Sequence, residues 1–217
     1  MGNPEDMEKG GKLWKAWDTI LRKVLRSTER IRPWLMGIVI LVVLRYTGAL
    51  AGISYVTGRA LMYTGAMDAN PSEPLVVKRF NYNFRIQDLN GKVTHVESLK
   101  NKTIFLNIWA TWCGPCRMEM PSIQTLYSQV DTSKVAFVML SVDRPQDIDK
   151  IKSYIKDKAF TFPVFTPAGT LPNLLQVRSI PTTFVIAPDG KVASSESGAS
   201  NYDTPEFRKF LESLMAP

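Results

Sequence analysis

The chain has 217 residues, a formal net charge of +7, 45% hydrophobic residues and 22% charged residues. That is longer than one minimal α/β domain and too short for two ordinary domains plus an anchor, with a globular composition. The basic excess is spread as +3 over residues 1–32, +2 over 33–66 and +2 over 67–217, with no run of five like charges, which excludes a nucleic-acid footprint.

In residues 1–32, Leu13, Trp14, Trp17, Ile20, Leu21, Val24 and Leu25 recur at helical spacing with Lys and Arg between them. This reads as a cytoplasmic basic amphipathic segment lying on an anionic membrane surface, with a plain solvated helix as the alternative. Residues 33–58 are expected to be a transmembrane helix. Trp34 to Gly58 is 25 residues with one charge, Arg45, and a span needs roughly 20. A buried soluble helix and a signal peptide cleaved at Ala49-Leu50-Ala51 are the alternatives. Arg22, Lys23, Arg26, Arg30 and Arg32 precede the apolar run, so the N-terminus is expected in the cytoplasm and the rest outside it. Residues 59–74 read as a linker, because Pro71, Pro74 and small polar neighbours oppose regular structure.

Residues 75–217 carry the signals of a catalytic α/β domain. Residues 75–99 suggest two strands meeting at Asn90-Gly91, a hairpin turn signal. Thr103 to Trp109 and Val135 to Val142 read as buried strands. Between them Met120, Ile123, Leu126, Tyr127 and Val130 lie on one helical face. Asp147 to Ala159 reads as a helix, Thr183–Ala187 and Lys191–Ala193 as strands around Pro188-Asp189-Gly190, and Glu206 to Met215 as a closing helix. Strands alternating with helices predict an α/β sandwich with a mixed central sheet.

Cys113-Gly114-Pro115-Cys116 holds the chain's two cysteines. A zinc site needs about four ligands, and the sequence offers these two and one histidine, His95, which reads as a surface residue. Haem attachment needs His after the second cysteine, where Arg117 stands. A structural disulfide would usually close a longer loop. The pair falls where a strand gives way to a helix, and unpaired N–H groups with the helix dipole favour a thiolate on Cys113. Cys113 is therefore the expected nucleophile and Cys116 the resolving thiol. Trp112 offers substrates an apolar surface beside the sulfurs, and Trp109 packs in the core.

The run from Trp109 to Pro121, WATWCGPCRMEMP, resembles the active site of the TlpA/ResA group of thioredoxin-like oxidoreductases. Arg178 to Ile186 is similar to that group's cis-proline loop and following strand, and Asp88 to Val93 to its N-terminal hairpin. The resemblance runs from about Phe84 to the C-terminus. It implies a thioredoxin-like fold with an N-terminal hairpin extension, a helix-and-strand insertion over residues 143–175, and a preceding membrane anchor. It implies that the Ile180-Pro181 bond is cis and lies beside Cys113. An extended substrate would then bind there, against Trp112, Gly114, Pro115, Ile180 and Pro181. Thioredoxin has a buried Asp six residues before its first active-site cysteine, where this chain has Asn107. The ResA-like pattern carries a Glu at Glu119, which becomes the third catalytic candidate, with a solvated helix carboxylate as the alternative.

The expected function is an extracytoplasmic thiol-disulfide oxidoreductase, most readily a membrane-tethered protein-disulfide reductase, because Gly114-Pro115 matches the strongly reducing spacer of thioredoxin. Its expected partners are disulfide-containing protein substrates, apocytochrome c being typical of the family, and a membrane thiol or electron donor. No cofactor, metal or nucleic acid is expected, and the chain is expected to be a monomer in the bacterial cytoplasmic membrane with its catalytic domain in the periplasm or extracytoplasmic space. Two alternatives are a thiol peroxidase of peroxiredoxin type, suggested by the insertion and the Ser141-Val142-Asp143 strand end, and a thioredoxin-fold binding module.

Overall fold

A computed structural model describes residues 32–44, 46, 57–58, 60–62, 64–71 and 79–215. The chain divides into two compact units, residues 1–53 and 54–217. In the first, residues 32–44 and 46 are helical, and the apolar side chains from Trp34 to Val43 are exposed. The membrane helix expected over 33–58 is not seen as such: among the described residues no helix is long and apolar enough to cross a membrane. The amphipathic segment expected before it and the cleavage site at residues 49–51 lie outside the described residues.

The second unit is built on one mixed sheet. Its strands are β1 (Arg85–Asp88), β2 (Val93–His95), β3 (Thr103–Trp109), β4 (Val135–Ser141), β5 (Val164–Pro167), β6 (Thr182–Ile186) and β7 (Val192–Ser197). The order across the sheet is β2-β1-β5-β4-β3-β6-β7. β3 runs parallel to β4 and antiparallel to β6. The apolar run of β3 places it inside the sheet, where both faces are covered and all of its residues are buried. Residues 57–58 and 60–62 are helical, and the helices packed with the sheet are α1 (Gly114–Gln129), α2 (Ile148–Asp157) and α3 (Pro205–Leu214). With α2 and β5 the expected insertion is present, and β1 pairs with β5 to carry the N-terminal hairpin.

Turn chemistry sets the hairpins. Gly91 takes a φ of +85°, open to glycine without a Cβ penalty. The Asp88 side chain accepts from the backbone N–H groups of Asn90 and Lys92. At the β6–β7 turn Gly190 takes a φ of +83°, and Asp189 accepts from the Lys191 N–H.

The period-2 alternation of β3 separates two cores. Ile104, Leu106 and Ile108 face one cluster with Phe84, Ile86, Val138 and Phe184. Phe105 and Trp109 face the other, with both cysteines, Met120, Ile123, Tyr202 and Phe207. Asn107 lies between Phe105 and Trp109 on β3 and is fully buried, so this polar side chain is held against the active-site helix.

Candidate active site

Cys113 is the N-cap of α1, and its sulfur accepts the Cys116 N–H at 3.2 Å. The two cysteines form a disulfide with their Cα atoms 5.3 Å apart. Gly114 and Pro115 occupy the first turn, where a helix has no N–H partner to lose and proline's fixed φ is tolerated. A second proline, Pro121, sits inside the same helix and withholds the N–H that would donate to the Arg117 carbonyl.

Cys113 is 5% exposed and Cys116 fully buried. Trp112, Gly114 and Pro115 are exposed around them, Trp112 at 70%. The Ile180-Pro181 peptide bond is cis, and the Cys113 sulfur lies 3.8 Å from the Ile180 carbonyl oxygen. Ile180 is half-buried and Pro181 buried. The fold thus brings together the residues that the sequence singled out.

Glu119 is fully buried and not a solvated helix carboxylate. Its Oε1 accepts from Asn107 Nδ2 at 2.7 Å, and its Oε2 from the Ser200 N–H at 3.2 Å. Asn107 Nδ2 also donates to Thr183 Oγ1 on the neighbouring strand, its register partner across β3 and β6. Burial dominates the carboxyl, which is pushed up to about 8 although the Asn107 and Ser200 hydrogen bonds favour the ionised form. Tyr202 is buried beside it and raised as well, first by burial and then by the Glu119 charge. Asn107 does not titrate, yet with the Ser200 N–H it fixes the acid. Its place six residues before Cys113 was visible in sequence; Thr183, Ser200 and Tyr202, some 64 to 83 positions further on than Glu119, gave no signal.

A second polar cluster holds the loop that leads into Cys113. Asp143, just past β4, accepts from the Thr111 N–H at 2.8 Å, the Thr111 hydroxyl at 2.6 Å and the Ser141 hydroxyl at 2.7 Å. The Val142 N–H donates to the Trp109 carbonyl at 2.8 Å. His95 is exposed on β2, and no metal-binding cluster of His, Cys, Asp or Glu occurs among the described residues.

Residues 77–195 match the model of the AhpC/TSA family. The chain is 37% identical over 117 residues to a thiol-disulfide oxidoreductase ResA of Bacillus cereus, covering 54% of this chain and 66% of that one. It is 37% identical over 133 residues to a ResA of Bacillus thuringiensis, covering 61% and 75%. The fold is shared with the crystal structure of a thiol:disulfide interchange protein of the thioredoxin family from Chlorobium tepidum, at 25% identity and a TM-score of 0.52, over 69% of this chain and 99% of that one.

Proposed function

The chain belongs to the AhpC/TSA family and, within it, to the ResA-like thiol-disulfide oxidoreductases, and from that premise we propose that it is a membrane-tethered reductase of protein disulfides outside the cytoplasm. The observation that carries the reading is the Cys113–Cys116 pair at the head of α1, bonded as a disulfide, with Cys113 at the N-cap and 5% exposed and Cys116 fully buried beneath it.

In this reading the Cys113 thiolate attacks one sulfur of a substrate disulfide and expels the other as a thiolate. Cys116 then attacks Cys113 in the mixed disulfide. Two substrate thiols leave and the Cys113–Cys116 disulfide remains, so the two electrons lost by the dithiol are those gained by the substrate. The substrate strand lies against Trp112, Gly114, Pro115 and the Ile180-Pro181 backbone, as main-chain pairing to an exposed edge would place it. Glu119, one helical turn beyond Cys116, accepts the proton that the resolving thiol must lose. Pushed up to about 8 by burial, the group accepts through its ionised fraction, a carboxylate whose basicity is close to that of an ordinary thiolate.

The reducing direction is supported by the Gly114-Pro115 spacer, and the tether by the apolar run from Trp34 to Val43, whose side chains are exposed to a degree that water penalises. The basic residues before that run support a cytoplasmic N-terminus. Turnover then needs a membrane thiol or electron donor to restore the dithiol.

The test is a redox titration of the dithiol together with insulin reduction. A potential near that of thioredoxin, roughly −270 mV, supports the reductase; one near roughly −120 mV makes it an oxidant. The AhpC/TSA match supports a second reading, thiol peroxidase, and hydrogen peroxide consumption by the reduced protein decides for or against it.

A further inference from the structure

Asp68 pairs with Asn201 as an isolated parallel bridge. The Ala69 N–H donates to the Asn201 carbonyl at 2.9 Å, the Asn201 N–H donates to the Met67 carbonyl at 2.7 Å, and Asn201 Nδ2 donates to Asp68 Oδ1 at 2.8 Å. Ala69 is 4% exposed and belongs to the same core cluster as Cys113, Cys116 and Tyr202. A stretch with the composition of a linker is therefore seated in the active-site core.

Asn201 is the middle residue of the segment that closes over Glu119. On one side of it the Ser200 N–H donates to Glu119 Oε2. On the other the Tyr202 N–H donates to Ser122 Oγ, whose hydroxyl donates to the Glu119 carbonyl oxygen. Upstream, the Gly198 N–H donates to the Pro181 carbonyl. The 198–202 loop thus links the cis-proline to the buried acid and is gripped from outside by residues 67–69.

We propose that residues 67–69 form a strap that positions the 198–202 loop over Glu119 and keeps water from its carboxyl, so that the strap sets the protonation behaviour of the active site. The proposal rests on the reading of Glu119 as the proton acceptor. Asp68 and Asn201 are then positioning residues acting through Ser200. A groove of about 600 Å³ lined by Met62, Asp68, Met118, Ser122, Asn201 and Asp203 runs along the strap. With the strap unseated, this groove would extend toward Glu119 and admit solvent to its carboxyl.

The direction follows from the groups around the carboxyl. Tyr202 approaches from the loop, Glu196 from β7 acts on Tyr202, and the uncharged Cys113–Cys116 disulfide lies at the head of α1. Asp203 is engaged by Arg208, and Asn107 and Thr183 are neutral. Burial is the largest influence on Glu119 and outweighs its two hydrogen bonds. Hydrating the carboxyl while loosening the Ser200 bond therefore favours ionisation on balance.

The experiment follows the Glu119 carboxyl by carbon-13 NMR against pH in the oxidised full chain, with the resonance identified by its loss in Glu119→Gln. Ala69→Gln, which adds bulk without charge at a buried position, should lower the midpoint by about one pH unit. Asp68→Ala should lower it by less, and Asp68→Asn, which keeps the acceptor oxygen, should restore it. The pH dependence of mixed-disulfide resolution in the reduced protein should move down with the midpoint. If Ala69→Gln and Asp68→Ala leave midpoint and resolution unchanged while Glu119→Gln slows resolution, the strap has no such role and the acid's role stands. If Glu119→Gln resolves mixed disulfides at the wild-type rate, the acid is idle and the proposal falls with it.

Discussion

At the scale of single residues, the two sulfurs differ in access, and that difference predicts their roles. Cys113→Ser should abolish disulfide exchange, while Cys116→Ser should accumulate mixed disulfides with substrates, read on non-reducing gels. Trapping by Cys113→Ser would reverse the assignment. Glu119 predicts a stability that depends on pH. Burial pushes its carboxyl up to about 8 in the folded chain, against about 4.5 for an exposed glutamate. The unfolded chain therefore releases this proton first, and the contribution is full below about 4.5 and is lost as pH rises toward 8. Each unit of displacement is worth about 1.4 kcal/mol. The melting temperature of the oxidised protein should fall between pH 5 and 8, and Glu119→Gln should flatten that slope. A wild-type slope unchanged in the variant would place the titration elsewhere. In the reduced protein a thiolate and an ionised Glu119 carboxylate oppose each other as like charges. Alkylation of Cys113 against pH should be broad in the wild type, and narrower with a lower midpoint in Glu119→Gln. The spacing of Glu119 from Cys116 was readable in the sequence. Its complete burial was not, because the residues that cover it come from β3, β6 and the 198–202 loop and meet only in three dimensions.

At the scale of elements, the strand-to-helix junction is held by Asp143 as well as by the cap. Its carboxylate takes the Thr111 and Ser141 donors and so anchors the loop between β3 and α1 to the end of β4. Asp143→Ala should destabilise the domain by about 2–4 kcal/mol, since buried donors lose a charged acceptor. The loss should show in denaturant midpoints, and dithiol exchange should slow with it; a stability within about 0.5 kcal/mol of wild type, the range of ordinary surface changes, would make the cluster ornamental. Most elements were legible because their periodicities are clean. β3 is a continuous apolar run, α2 repeats Ile148, Ile151 and Ile155, and both hairpins carry glycine at a positive φ. The strap was not legible: residues 67–69 pair with a single distant residue, and one isolated bridge leaves no pattern of period two. The chemistry of their neighbours, rich in proline and small polar side chains, pointed to a linker.

At the scale of the whole molecule, the division between residues 53 and 54 predicts where the chain can be cut. Residues 54–217 should fold alone and, once reduced, reduce a model disulfide. A fragment starting at residue 75 should melt lower, because it lacks the seated Ala69 and its bonds to Asn201. Equal melting of the two would show that the strap adds no stability. For the full chain, a reporter fused after Pro217 should be active only when exported, and cytoplasmic activity would reverse the proposed topology. Membrane placement was the part of the sequence reading that an α/β core could not arbitrate, since among the described residues the members of both clusters lie between Ala69 and Met215. The sheet order carries one more consequence. β3 has partners on both sides, whereas β2 and β7 each have one, and opening a central strand requires disrupting both cores. Amide protons of Leu106, Asn107 and Ile108 should then exchange with deuterium only through global unfolding, while those of β2 and β7 exchange through local fraying. Cys113 and the Asn107 that holds Glu119 are thus mounted on the last part of the molecule to open, and a partly melted population would keep its redox centre assembled after its edges had gone.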